Sequence, residues 1–460
     1  MRRRFLEWSL TGWIDPALAF GALYSDQERA VWLDSGMHAA SGMSYLAVGA
    51  RLATASVENG TVTVDGLTEP GEILDFLRVE LAAGTAESES SGDGFRLGWV
   101  GWLGYELRAQ TMGTPARAGA RYPDASLLFI DRAIVFDHFD RSMRLIALGD
   151  DWSGELVSWR ESTIAELALA GDPRTHTADS AATVAGATAT WAYGDDEYLE
   201  LIRECQSAIV AGDAYQLCLT TEVRVDAHPD PYLAYLALRA TSPTHHGSLF
   251  VADGLALLSS SPEQFLSVSP DGIVESRPIK GTRRRGSHPE EDAALAVELE
   301  SSDKERAENL MIVDLMRNDI GRVSEVGSVR VTSLLAVESY AQVHQLVSAV
   351  SGRLADELTG IDAVAACFPA GSMTGAPKYG AVSILDRLEN RSRGVYAGAF
   401  GYFGLDGRID LAMVIRSIVL DSDGATVGTG GGITALSVPE EELAEVQLKA
   451  AAMLSVLGVR

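Results

Sequence analysis

Apolar residues recur with two different periods along the 460-residue chain. Between about residues 31 and 148 they form short β-rich runs, such as Ser126-Leu127-Leu128-Phe129-Ile130 and Leu145-Ile146-Ala147-Leu148, split by Gly, Asp and Pro. Such runs predict strands, and similar ones return at 248–259, 265–268 and 272–279. Over 197–211 the period changes: Leu199, Ile202, Cys205, Ile209 and Val210 lie on one face of a predicted helix. Further helices are predicted over 304–316 and 440–457, and 378–388 is amphipathic. Strands and helices interleave irregularly, without a regular βαβ period. The pattern predicts an α+β composite and not a doubly wound sheet.

Two parts suggest themselves: an N-terminal one over 1–170 and a second over 191–460. Between them, 171–190 is Ala, Thr, Ser and Asp with almost nothing to bury, the composition of an exposed connector. Residues 86–94 read as a polar, acidic loop. The three cysteines, Cys205, Cys218 and Cys367, exclude a disulfide scaffold and suit a reducing cytoplasm. Met1-Arg2-Arg3-Arg4-Phe5-Leu6 has the charged start of a signal peptide, but Glu7 and Asp15 interrupt the apolar run that should follow. No stretch reaches the ~18 apolar residues of a membrane helix. The expected location is therefore cytoplasmic, away from membranes. A net charge of −27 repels phosphate backbones and argues against nucleic-acid binding. It also repels anionic substrates, so any anion site has to be local.

Five segments carry candidate chemistry. In Arg277-Pro278-Ile279-Lys280-Gly281-Thr282-Arg283-Arg284-Arg285-Gly286 a strand is predicted to end at Pro278 and a cationic loop to follow. Gly281 permits close backbone approach, and a partly desolvated lysine among other cations becomes a nucleophile. A solvated basic loop is the plainer alternative. Glu305 and Glu308 share one helix face and present carboxylates suited to a hard divalent cation, or merely an exposed helix end with a Lys304–Glu308 contact. Phe368 to Lys378 reads as a small-residue loop entering a helix N-terminus, where amide groups and the Ser372 or Thr374 hydroxyl would accept an anion. Gly430-Gly431-Gly432 invites close ligand approach, and Glu445 lies one turn beyond an acidic helix start. Arg416 stands in the apolar run 411–419 and needs an anionic partner, either a ligand or a structural carboxylate. Together these features describe a site for a small di-acid held partly through a divalent metal. No nucleotide motif is present.

The run from about Trp191 to Leu457 resembles the chorismate-utilising enzymes. The likeness runs in order through Tyr215-Gln216-Leu217, Ser261-Pro262-Glu263, Arg277 to Thr282, Arg306 to Asp319, Gly371 to Lys378, Tyr396 to Phe403 and Gly430 to Glu445. Trp32-Leu33-Asp34-Ser35 and Gly101-Trp102-Leu103-Gly104-Tyr105 resemble the family's N-terminal regulatory part. The resemblance implies a large composite fold of antiparallel β-sheets packed against outer helices. Gln216 stands where water-adding members carry a lysine base. Pro-Ile-Lys-Gly-Thr, with Lys280 where anthranilate synthases have alanine, is the pattern of the members that aminate chorismate at C4 toward 4-aminobenzoate and folate.

That resemblance implies a transferase with chorismate as substrate. Lys280 would act as covalent nucleophile and Glu263 as general acid, with magnesium on Glu308 and Glu445. Gln216, Gly281, Thr282, Ser372, Tyr396, Arg416, Gly430, Gly432 and Lys449 would contact substrate. Ammonia would come from a separate glutamine amidotransferase subunit, because no cysteine here sits in a Gly-x-Cys-x-Gly elbow. Alternatives are anthranilate synthase chemistry, an aminated chorismate of secondary metabolism, or a silent chorismate-binding homologue. Two departures stand out. Arg284 replaces a usual proline. Ser242-Pro243-Thr244-His245-His246 replaces a motif bordering a tryptophan pocket, which leaves tryptophan binding open; the two histidines are expected on a surface loop.

Overall fold

The computed structural model describes residues 4–37, 39–84, 94–170, 186–340 and 343–459. The charged start Met1-Arg2-Arg3, most of the acidic loop predicted over 86–94 and most of the connector predicted over 171–190 lie outside the described residues. Within them, the chain forms two twelve-stranded sheets with antiparallel pairing. Side-chain alternation decides which surface each strand buries. In Arg29–Asp34, Val31 points between the sheets toward Trp102, Phe250 and Phe400, while Trp32 faces outward onto Phe20 and Tyr235. The other sheet buries Trp99 and Leu127 outward beneath helices Ile73–Ala83, Asp303–Gly321 and Gly360–Cys367. The result is four layers, helix–sheet–sheet–helix, as the α+β expectation requires. Both sheets are continuous across the middle of the chain: Arg29–Asp34 pairs with His246–Ala252, and Gly98–Leu103 pairs with Ala399–Gly404. Among the described residues no helix is long and apolar enough to cross a membrane.

The helices fall close to their predicted spans: Asp195–Ala211, Asp303–Gly321, Lys378–Glu389 and Pro439–Val456. Several strand runs were read too long. Residues 248–259 form not one strand but a hairpin, His246–Ala252 and Leu255–Ser261, turning at Asp253 and Gly254, both with positive φ. Asp-Gly supports the primed turn that a two-residue hairpin needs. Residues 272–279 end as a strand at Ser276. The cationic segment predicted as a loop is itself a strand, Ile279–Arg284, paired with Val343–Arg353. Residues 411–419 also split, into Ile409–Met413 and Ser417–Asp421. These two strands belong to different sheets, so the chain crosses between sheets at Val414–Arg416.

A buried polar cluster ties the N-terminal strands to the later helix Pro231–Thr241. Asp34, with a fully buried side chain, accepts from Arg239 Nε at 2.6 Å, Tyr235 Oη at 3.1 Å and the Gly36 amide at 3.0 Å. Removing the carboxylate leaves the buried Arg239 with the half-exposed Asp15, 4.0 Å away, as its remaining counter-charge. Asp34→Ala is therefore expected to cost about 3–5 kcal/mol of stability in chemical denaturation. A loss below about 1 kcal/mol would show that the pair is not a fastening between the two parts.

Candidate functional site

Two chain crossings meet between the sheets. One is Pro262–Glu263, between Leu255–Ser261 in the first sheet and Gln264–Val268 in the second. The other is Val414–Arg416. They are tied by backbone hydrogen bonds from Met413 N to Glu263 O at 3.0 Å and from Ser260 N to Arg416 O at 3.1 Å. Beside them opens a cavity of about 640 Å³. It brings together Glu263, Lys280, Gly281, Thr282, Glu308, Ser372, Tyr396, Arg416, Gly430, Gly432, Glu445 and Lys449.

A β-bulge explains how Lys280 reaches it. Lys280 pairs with Leu346 and Thr282 with the very next partner residue, Gln345, so Gly281 is the extra residue. Gly281 has φ +78°, and a Cβ there would lie 2.7 Å from Leu299 and 2.9 Å from Glu305. The bulge allows Lys280 and Thr282 to line the same cavity despite strand alternation. The neighbouring arginines are paired: Arg284 with Glu291, Arg285 with Asp292 at 2.6 Å, and Arg283 with Glu298 at 2.6 Å and with Glu305 at 3.5 Å, so that Arg283 still lines the cavity. They fasten the helix Pro289–Ser301, and the cavity that Lys280 lines also holds Arg283, Lys304, Arg416 and Lys449. The charged neighbours of Lys280 include Glu263, Glu308 and Glu445.

The carboxylates differ in environment. Burial pushes Glu263 above the ordinary carboxylate range, only partly opposed by Lys280, the Ser372 hydroxyl and the Ile279 amide. Burial also raises Glu308, against the pull of Lys280 and Lys304. Glu445 feels burial too, but Lys449, 2.7 Å away, brings it below the usual value. Burial works against Lys304, yet Glu442, Glu308, Glu445 and Glu305 hold its ammonium above the ordinary value. Lys304 thus answers carboxylates from two helices, pairing with Glu442 at 3.6 Å, and is not simply the partner of Glu308.

No group of three or more His, Cys, Asp or Glu forms a ready metal centre among the described residues. Glu308 and Glu445 do face one cavity from separate helices, with Glu305 and Glu442 beside them around Lys304. Magnesium takes few protein carboxylates and completes its shell with water and substrate oxygens, so this donor set fits it. Arg416 makes no side-chain hydrogen bond or ion pair among the described residues, and desolvation lowers its pKa from the ordinary guanidinium value. The structural salt bridge that sequence left open does not form among the described residues. Arg416 sits at φ +49°, at the crossing itself.

The three glycines lie within the strand Gly424–Ile433. A Cβ at Gly428 would lie 2.1 Å from Tyr396 Cγ, so the ring lies against bare backbone. Gln216 does not itself line the cavity but lies against Gly432, which does. It is buried, with its Nε2 2.3 Å from where a Gly432 Cβ would sit. Thr374 and Lys378 also point elsewhere. Thr374 Oγ1 bonds Ala370 O, and Lys378 pairs with Asp319 at 2.5 Å, so Ser372 of the predicted helix-end anion site lines this cavity while Thr374 and Lys378 do not. The sequence reading missed Cys218, Gln345 and Glu442, which all line it. Cys218 and Gln345 lie in ordinary strand runs, and only the sheet pairing shows where they face.

His245 lies exposed in a bend, as expected of a surface loop, whereas His246 opens the strand His246–Ala252. They border a separate cavity of about 460 Å³ with Ser35, Tyr402 and Asp410, and burial pushes both below the usual histidine value.

An unpaired, desolvated arginine is a cost held for a ligand. Arg416→Met is expected to raise the unfolding midpoint slightly while weakening binding of a dicarboxylate ligand by at least about tenfold. A variant that binds as tightly as the original would remove Arg416 from the site.

Comparison with known proteins places this geometry in context. The sequence model for the chorismate binding enzyme family matches residues 29–455. The aminodeoxychorismate synthase of Streptomyces griseus is 43% identical over 99% of this chain, which spans 64% of that protein's length. Anthranilate synthase component 1 2 of Haloarcula marismortui is 37% identical over 86% of the chain and 75% of its own length. Among solved structures, anthranilate synthase component I of Streptococcus pneumoniae superimposes with a TM-score of 0.78 at 30% identity, covering 96% of this chain and 97% of the other.

Proposed function

The chain belongs to the chorismate-binding enzyme family, and from that premise we propose that it aminates chorismate with ammonia to 4-amino-4-deoxychorismate. The observation that carries this reading is the pairing of Lys280 with a buried Glu263 in one cavity. The Lys280 amine attacks C2 of chorismate. The ring double bonds shift, and the C4 hydroxyl departs as water with the proton that Glu263 donates. Burial supports that role because it keeps a carboxyl protonated toward neutral pH. Ammonia then adds at C4 and the C2–N bond breaks, returning the lysine and leaving the enolpyruvyl ether intact. Arg416 and Tyr396 receive the enolpyruvyl carboxylate, and the bare backbone at Gly430 and Gly432 leaves room for the ring. A magnesium ion held by Glu308 and Glu445 would neutralise the ring carboxylate and draw electron density from C2–C4. The product lies on the 4-aminobenzoate branch of folate synthesis, a cytoplasmic route, with ammonia supplied by a glutamine amidotransferase subunit.

The test is incubation of the purified chain with chorismate, magnesium and an ammonium salt, with products identified by mass spectrometry. An aminated species that keeps the enolpyruvyl group is expected, and it should vanish in Lys280→Ala and lose its magnesium dependence in Glu308→Gln with Glu445→Gln. Anthranilate with pyruvate would move the chain to the tryptophan branch. Undiminished synthesis by Lys280→Ala would end the covalent role.

Activity should also carry the signature of a raised acid. Since Glu263 works protonated and burial raises it, the rate should hold above the ordinary carboxylate range and fall as pH passes its folded value. Glu263→Gln should lower kcat by about 10²–10⁴-fold and abolish that fall. A pH profile of unchanged shape in the variant assigns the limb to another group.

A further inference from the structure

Gln345 lines the catalytic cavity and has no part in the steps above. It stands in the strand Val343–Arg353, beside the bulged strand that carries Lys280. Lys280 pairs with Leu346 and Thr282 with Gln345, so Gln345 lies across from the bulge, one residue along from the partner of the nucleophile. Alternation sets it apart from its own neighbours. His344 bonds Asp292 at 3.0 Å and Leu346 packs with Leu299 and Leu335, and neither lines the cavity. The strand is held in this register. Asn309 donates to Leu346 O at 3.3 Å and accepts from Ser348 Oγ at 2.5 Å, which ties the helix Asp303–Gly321 to it. Gln345 is 6% exposed, and its amide makes no side-chain hydrogen bond among the described residues. A buried amide that the protein leaves unsatisfied on the wall of a ligand cavity is held for the ligand.

The covalent intermediate has a side reaction open to it. Attack of the Lys280 amine on C2 with loss of the C4 hydroxyl leaves double bonds at C1=C6 and C4=C5, a hydrogen on C2 and the enolpyruvyl ether on C3. If a base takes the C2 proton, the C2–H electrons form C2=C3 and the C3–O bond breaks. Enolpyruvate departs with that electron pair, takes up a proton and becomes pyruvate. The ring is then aromatic, and Lys280 is left as an N-aryl amine that ammonia at C4 can no longer displace. The cavity's carboxylates are answered by cations: Glu445 by Lys449 at 2.7 Å, Glu305 by Arg283 at 3.5 Å, Glu442 by Lys304 at 3.6 Å, and Glu308 by Lys280 and Lys304. The position beside Lys280 therefore controls whether a free base meets C2.

We propose that Gln345 is a specificity-determining residue that keeps the Lys280 adduct from aromatising. Its amide contacts the ring beside C2 through hydrogen bonds and has no basicity with which to take the C2 proton. The inference rests on the amination reading, because the side reaction exists only if Lys280 bonds to C2. Gln345 thereby sets which product leaves, the aminated ring with its enolpyruvyl ether in place of pyruvate and an arylated enzyme.

The test compares the unmodified chain with Gln345→His and Gln345→Glu, which put a base at that position, and with Gln345→Leu, which removes the amide and adds no base. Glutamate has nearly the shape of glutamine, so that variant keeps the packing of the strand. Each chain is incubated with chorismate, magnesium and an ammonium salt; pyruvate is measured, and the intact chain is weighed by mass spectrometry. Both base variants should gain a carboxyphenyl group on Lys280, release pyruvate in step with it and lose amination as it forms, with arylation at least about 10²-fold faster than in the unmodified chain. Gln345→Leu should lower kcat about tenfold and release no pyruvate. Adding Lys280→Ala to Gln345→Glu should abolish the adduct. Absence of the adduct from the base variants overturns the proposal whatever their amination rate, and a Gln345→Leu variant with full kcat overturns the contact. If the unmodified chain makes no aminated chorismate, or Lys280→Ala makes as much, it is the amination reading that fails, before any variant at Gln345 is compared.

Discussion

The cavity exists because two chain segments leave one sheet for the other at the same place. Packed sheets interdigitate their inner faces at a fixed separation, and a strand that changes sheet cannot keep its ladder partners through the crossing. Pro262–Glu263 and Val414–Arg416 cross side by side, and each satisfies a backbone group of the other crossing's flanks. That mutual pairing lets irregular backbone sit inside the protein without orphaned amides. It also delivers a carboxyl and a guanidinium to one interior point from segments far apart in sequence.

Charge inside the cavity is divided by position. Carboxylates from the helices Asp303–Gly321 and Pro439–Val456 gather around Lys304, while Arg416 stands alone near Tyr396. With a net charge of −27, long-range attraction cannot bring a dicarboxylate to this protein. Local cations must hold it, and the acidic pole becomes useful only with a cation between protein and ligand. Glu263 lies apart from both arrangements. Its environment is set mainly by burial, which is why it and Glu445, both glutamates of one cavity, shift in opposite directions.

Glycine enters the design where helices or rings need backbone proximity. Gly281 admits Leu299 and Glu305 against the bulged strand, and Gly428 admits the Tyr396 ring. In both cases the missing side chain is what brings a helix or an aromatic ring close enough to shape the cavity.

The sequence by itself determined the elements with a strong period and the chemical inventory. The helices were legible because one apolar face per 3.6 residues is a local property, and Lys280, Glu308, Glu445 and Arg416 stood out as charges beside apolar runs, whereas Glu263 came only with the family resemblance. Only the tertiary structure decided where strands ended and which way their residues faced. The hairpin turn at Asp253-Gly254, the bulge at Gly281 and the break at Val414–Arg416 each depend on partner strands distant in sequence. The same reason set Gln216 against Gly432, kept the 378–388 helix end out of the cavity and added Cys218 and Gln345 to its lining. Alternation along a strand tells which residues share a face. Which face meets the cavity is fixed by the partner sheet, through long-range pairing that no local window contains.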